Sequence, residues 1–164
     1  MKFYIKLKHF AQHRSFKIRN ESQGELFKIK GAFFMGLRSL TMKDMNNQVL
    51  YTIKRKFRFS FYRNYSVMNA KNVEVAKIHR TFGRSRPMYT VLMKNRIMHF
   101  EGEVPEHAFS LHDADGALAK IERKTFDFGD AYEIDVMTDK DPLLHLFLVM
   151  CIDQMNHERK KLRS

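Results

Sequence analysis

The sequence predicts a mainly β protein with a central helix: a closed barrel of about twelve antiparallel strands around one buried hydrophobic C-terminal helix. Three observations carry that prediction. A hairpin-like unit recurs four times, further alternating stretches fill the gaps between units, and residues 143–152 are apolar at every position except His145. A helix apolar on all faces has to be enclosed by protein. About twelve strands close into a ring with a bore wider than the eight-stranded kind that side chains alone fill.

The four units are residues 16–29, 40–53, 65–78 and 109–121. In each, an alternating strand ends at Asn or Asp (Asn20, Asp44, Asn69, Asp113), a short polar turn follows, and a second strand carries a late Ile (Ile29, Ile53, Ile78, Ile121). Period-two alternation on both sides of an Asn/Asp/Gly turn is the signature of a β-hairpin. The stretches around residues 3–7, 88–94, 96–102 and 132–136 alternate in the same way. The helix is expected over about 142–160, with Asp141 as cap and Pro142 in the first turn, where no N–H donor is needed. This ten-residue stretch rises only about 15 Å, half the thickness of a bilayer core. No linker interrupts the chain, so residues 1–164 form one domain, strands over about 2–137 and then the helix.

Composition narrows the function classes. One cysteine, Cys151, rules out an internal disulfide framework, and its place in the apolar helix makes it a small packing residue. The alternating N-terminus has no block resembling a signal peptide, which points to a cytoplasmic protein. The net charge is +12, and it is unevenly spread. Residues 1–99 hold 22 Lys/Arg against 4 Asp/Glu; residues 100–164 hold 8 against 14. Such asymmetry favours a polyanionic partner on one side of the molecule.

The repeated hairpins, the segment Gly31-Ala32-Phe33-Phe34-Met35-Gly36-Leu37-Arg38-Ser39-Leu40, the ending Phe128-Gly129-Asp130-Ala131-Tyr132-Glu133-Ile134-Asp135-Val136 and the apolar helix containing Asp153 resemble the LURP-one-related family, in its compact bacterial form. That family is similar in fold to the tubby C-terminal domain and to phospholipid scramblases. The resemblance spans essentially the whole chain and implies a twelve-stranded barrel around a hydrophobic helix. Through the tubby likeness it also implies binding of lipid head groups by basic residues on outer strands, with no short motif to locate the site. Function transfers less well than fold along such analogies.

Candidate anion-binding residues follow from the charge. If the segment 54–63 continues a strand, Lys54, Lys56 and Arg58 share one face and Ile53, Phe57 and Phe59 the other, with Arg63 further along. Such an outward ladder would hold phosphates by charge-assisted hydrogen bonds; the alternative is a solvated wall whose charges discourage aggregation. The loop around Gly83 could clamp a phosphate with Arg80, Arg84 and Arg86, or be an ordinary basic turn. It lacks the Gly-Lys-Ser/Thr ending of a nucleotide-hydrolysing loop.

Asp153, a carboxylate at the end of the apolar stretch, is read as a structural lock of the helix, held by backbone donors or an arginine of the wall. It and the polar residues after it are expected at the barrel mouth. His9 and His13 lack the helical context that would bring them onto one metal. Residues 113–116 imitate a calcium loop but miss its glycine and ligand positions, so they form a turn. No catalytic constellation, cofactor or metal site emerges. The expected activity is therefore non-enzymatic: docking on anionic phospholipid head groups or another phosphate-bearing ligand, peripherally at the inner membrane face. The alternatives are a nucleic-acid-binding basic barrel and a structural or regulatory protein without a small-molecule ligand.

Overall fold

The structure, a computed structural model, describes residues 1–6, 15–34, 37–55, 63–82, 87–103 and 108–163. Twelve strands follow in order: β1 (Lys2–Lys6), β2 (Ser15–Arg19), β3 (Glu25–Phe34), β4 (Leu37–Asp44), β5 (Val49–Arg55) and β6 (Arg63–Asn69), then β7 (Glu74–Phe82), β8 (Pro87–Met93), β9 (Arg96–Glu103), β10 (Ala108–Asp113), β11 (Gly116–Phe126) and β12 (Gly129–Val136). Among the described residues one helix, α1 (Pro142–Arg163), follows the strands. Each strand pairs antiparallel with its sequence neighbours, and β1 with β12 shuts the ring, Phe3 opposite Ile134 and Ile5 opposite Tyr132. Among the described residues the closed barrel, its twelve strands and its C-terminal helix are as the sequence predicts.

The recurring Asn or Asp has a common task. Its side-chain oxygen accepts backbone N–H groups of the turn: Asp44 from Asn46 and Gln48, both at 2.9 Å, and Asn69 from Lys71 and Val73, both at 3.0 Å. Asn20 holds Gly24 at 2.8 Å and Asp113 holds Asp115 at 2.9 Å in the same manner. Gln23, Asn47 and Asn72 take the left-handed backbone that closes three of these turns (φ 65°, 64° and 60°). The four hairpins also share a bulge, after Ile18, Met42, Val67 and Leu111. The repeat is thus one supersecondary device used four times.

Inward residues of every strand meet α1, whose residues 144–153 are buried on all sides. Tyr51 of β5 stacks on Phe147 with ring centroids 5.8 Å apart, and Cys151 is sealed, its thiol pushed well up by burial. The helix enters at the end with the four Asn/Asp turns and points toward the other end of the barrel. Two expectations change. Asp141 starts the helix through its carbonyl, which accepts Leu144 N–H at 3.0 Å and His145 N–H at 3.2 Å. Its φ of 48° departs from the extended backbone a side-chain cap uses. Asp153 is fully buried rather than at the mouth, because the helix runs on to Arg163 and Met155 is still in the core.

Candidate functional site, a cationic wall

Alternation turns Lys17 of β2, Lys28 and Lys30 of β3, Lys43 of β4 and Lys54 of β5 outward, since Phe16, Ile18, Ile29, Met42 and Ile53 take the core. Register then lines them up. Lys17 stands directly opposite Lys28, and Lys28 directly opposite Lys43, so three lysines cross three adjacent strands in one row. Neighbouring strands lie about 4.8 Å apart, which puts the row within about 10 Å. Like charges directly opposite on a ladder destabilise it.

Few acids relieve them. Lys17 and Arg19 share Glu25 at 2.7 and 2.9 Å; the Lys17 hydrogen bond, with the charges of Arg19 and Lys28, holds that carboxyl below its ordinary value against burial. Asp44 is occupied by its turn. Lys28, Lys30, Lys43 and Lys54 have no carboxylate within ion-pairing distance among the described residues. Lys54 stands opposite Ser39 rather than Lys43, and its own line runs through Ser66 to Lys77, where Glu74 accepts from the Ser66 hydroxyl at 2.6 Å and pairs with Lys77 at 3.4 Å.

The residues singled out from sequence are only partly gathered here. Lys54 is outward and exposed on this wall. Lys56, Arg58, Arg84 and Arg86 lie outside the described residues; β5 is described to Arg55, so the proposed ladder beyond it is too. Arg63 opens β6 opposite Arg80. Arg80 departs from the expected loop clamp: it belongs to β7 at an inward position, is 4% exposed, and lays its guanidinium 5.7 Å from the Tyr89 ring centre. Asp153 faces the barrel interior. Its charge, after burial itself, pushes the Tyr132 hydroxyl up to about 12. Lys17, Lys28 and Lys43 were missed, although the first hairpin's spacing already sets Lys17 beside Lys28.

The adjoining wall of β1, β12 and β11 is self-neutralised. Lys124 reaches Glu133 at 2.6 Å and Glu122 at 3.6 Å, Lys2 adds a 3.4 Å contact to Glu133, and Arg123 meets Asp130 at 2.8 Å. Burial raises the Glu133 carboxyl, but the hydrogen bond and charge of Lys124 outweigh it and leave the group below its ordinary value. No group of three or more His, Cys, Asp or Glu among the described residues is placed to hold a metal ion. Among the same residues no helix is long and apolar enough to cross a membrane.

The family model described as LURP-one-related matches residues 1–153. The chain belongs to the LURP-one-related family. A relative within reach of this LURP-one-related protein is "Uncharacterized protein YxjI" of Bacillus subtilis (strain 168), 26% identical over 156 residues, covering 94% of this chain and 93% of that one. In fold, the LURP-one-related barrel is similar to the X-ray structure of an Arabidopsis thaliana protein, with a TM-score of 0.65 at 17% identity, over 94% of this chain and 90% of that one.

Proposed function

We propose that this LURP-one-related barrel is a non-enzymatic binding protein that docks its cationic wall on anionic phospholipid head groups at a membrane surface. The observation that carries this reading is the in-register row Lys17–Lys28–Lys43, with Lys30 two positions along β3 and Lys54 further along the same wall. Folding alone disfavours such a row. A phosphate laid across it turns mutual repulsion into shared charge-assisted hydrogen bonds. Lysine suits a fluid layer of head groups because its compact ammonium needs no fixed planar partner.

Nucleic acid fits this surface less well. Strand-borne binders of single strands stack bases on exposed aromatics, and none of the aromatic residues whose side-chain burial is described is exposed. The test is co-sedimentation with vesicles of neutral lipid alone or with a third of anionic lipid. Binding that requires the anionic component and weakens with salt supports the reading. Tight, salt-sensitive binding to RNA with none to vesicles overturns it.

In the same reading Asp153 locks the helix inside the wall, with Arg80, the buried arginine of the described residues, as its natural counter-charge. Breaking a buried pair by removing one partner costs about 3–5 kcal/mol. Asp153→Ala should therefore lose that much stability in urea, and a loss under about 1 kcal/mol would remove Asp153 from this role.

A further inference from the structure

A cavity of about 550 Å³ opens beside the start of α1, at the end of the barrel carrying the Asn/Asp turns and away from the cationic wall's row. Its apolar lining includes Tyr51, Met93 and Leu144, and its polar lining includes Lys94, Lys140, Asp141 and His145. Two other charged lining residues are already engaged: Arg96 with Asp113 and Asp115, and Glu74 with Ser66 and Lys77. Lys94 and Lys140 have no carboxylate within ion-pairing distance, and Asp141 no cation, among the described residues.

His145 supplies the independent observation. It is 1% exposed, and its Nδ1 lies 3.0 Å from the Asp141 carbonyl oxygen. A carbonyl only accepts, so Nδ1 carries a proton, and in the neutral ring Nε2 then presents a bare lone pair. Nε2 is buried with no hydrogen-bond partner among the described residues. A buried acceptor left unsatisfied is costly, and its presence at a cavity invites a donor from outside the chain.

We propose that this cavity is a second binding site, for a small amphipathic molecule bearing an anionic group next to an N–H or O–H donor. The anion sits between the Lys94 and Lys140 ammoniums. The donor answers His145 Nε2, and a charged amine also gains the Asp141 carboxylate. The apolar body lies along Tyr51, Met93 and Leu144. The volume falls within the range of small-molecule sites.

The test is titration of the full chain with 2-aminooctanoate, which has both head groups, with octanoate and octylamine, which have one each, and with monomeric dihexanoyl phosphatidylethanolamine. Long-range 1H–15N NMR follows His145 Nε2. Binding of 2-aminooctanoate or of the phosphatidylethanolamine at least about tenfold tighter than of either single-group probe, with an Nε2 shift, supports the site; which of the two binds tells a free amino acid from a lipid head group. Lys94→Asn with Lys140→Gln should then weaken binding about tenfold or more; Asn tolerates the left-handed φ of 38° at position 94. Equal affinity for octanoate, no shift at Nε2, or no binding of any probe overturns the proposal.

Discussion

On β11 and β12 a lysine finds a carboxylate, whereas on β2, β3 and β4 a lysine finds another lysine. Glu122 and Glu133 also stand directly opposite each other, yet Lys124 bridges both and cancels the repulsion. The row Lys17–Lys28–Lys43 has only Glu25 at one end. Both walls share backbone geometry, strand length and inward packing, so the fold does not require the difference. A charge arrangement that the fold does not need is the surface on which the proposed docking rests.

Reversal of the cationic row should have the largest effect. Each basic residue near an anionic surface contributes about 1 kcal/mol, and a reversal counts twice. Lys28→Glu with Lys43→Glu should therefore weaken binding to anionic vesicles about a thousandfold. Lys120→Glu on the paired wall should change it only a few-fold, and equal losses in co-sedimentation would erase the distinction between the walls.

Next comes Glu133→Gln, which strips the buried hub of the paired wall and leaves Lys124 and Lys2 without their shared carboxylate. The expected cost is about 2 kcal/mol in urea unfolding, with vesicle binding kept or slightly strengthened. Lys28→Gln should do the reverse on a smaller scale. It relieves two like-charge contacts, raising stability by about 0.5 kcal/mol, while binding weakens about fivefold. Stability that falls together with binding would mean that Lys28 has a structural role instead.

Acid should act on the paired wall. Glu122, Asp130 and Glu133 all have carboxyls held below their ordinary values in the fold, each by a lysine or arginine partner. Depressed folded values mean that their contribution is complete above the unfolded carboxylate range near pH 4, and drains away as pH falls through the folded values. Stability followed by circular dichroism should therefore decline below about pH 4, and Glu133→Gln should shallow that slope.

Much of this architecture was legible in the chain. The hairpins announced themselves because each turn needs an Asn or Asp acceptor at its first corner, and the enclosed helix because no polar face exists from Leu143 to Ile152 except at His145. The cationic row was harder. Lys17 against Lys28 follows from one hairpin, but Lys28 against Lys43 depends on the β3–β4 register, set by a pairing that includes Gly31 opposite Leu40. A glycine there admits close backbone approach, since a Cβ would press into the Ser39 carbonyl oxygen. Arg80 misled because its neighbours in sequence are cationic and look like a loop, while alternation from Ala76 and Ile78 turns it inward. The mouth cavity had no linear signature: its residues come from the ends of β5 to β9, the turns between them and the start of α1.

The order in which the chain is made meets a difficulty in the closing seam. β1 emerges first from the ribosome and must wait for β12, more than a hundred residues later, before its second edge is covered. The rod that fills the bore is synthesised later still, so the sleeve cannot mature as translation proceeds. Pairings this remote slow folding and leave strand edges open to wrong partners. A cell making this protein would therefore gain from a chaperone that shields the first strands until the last segment has threaded home.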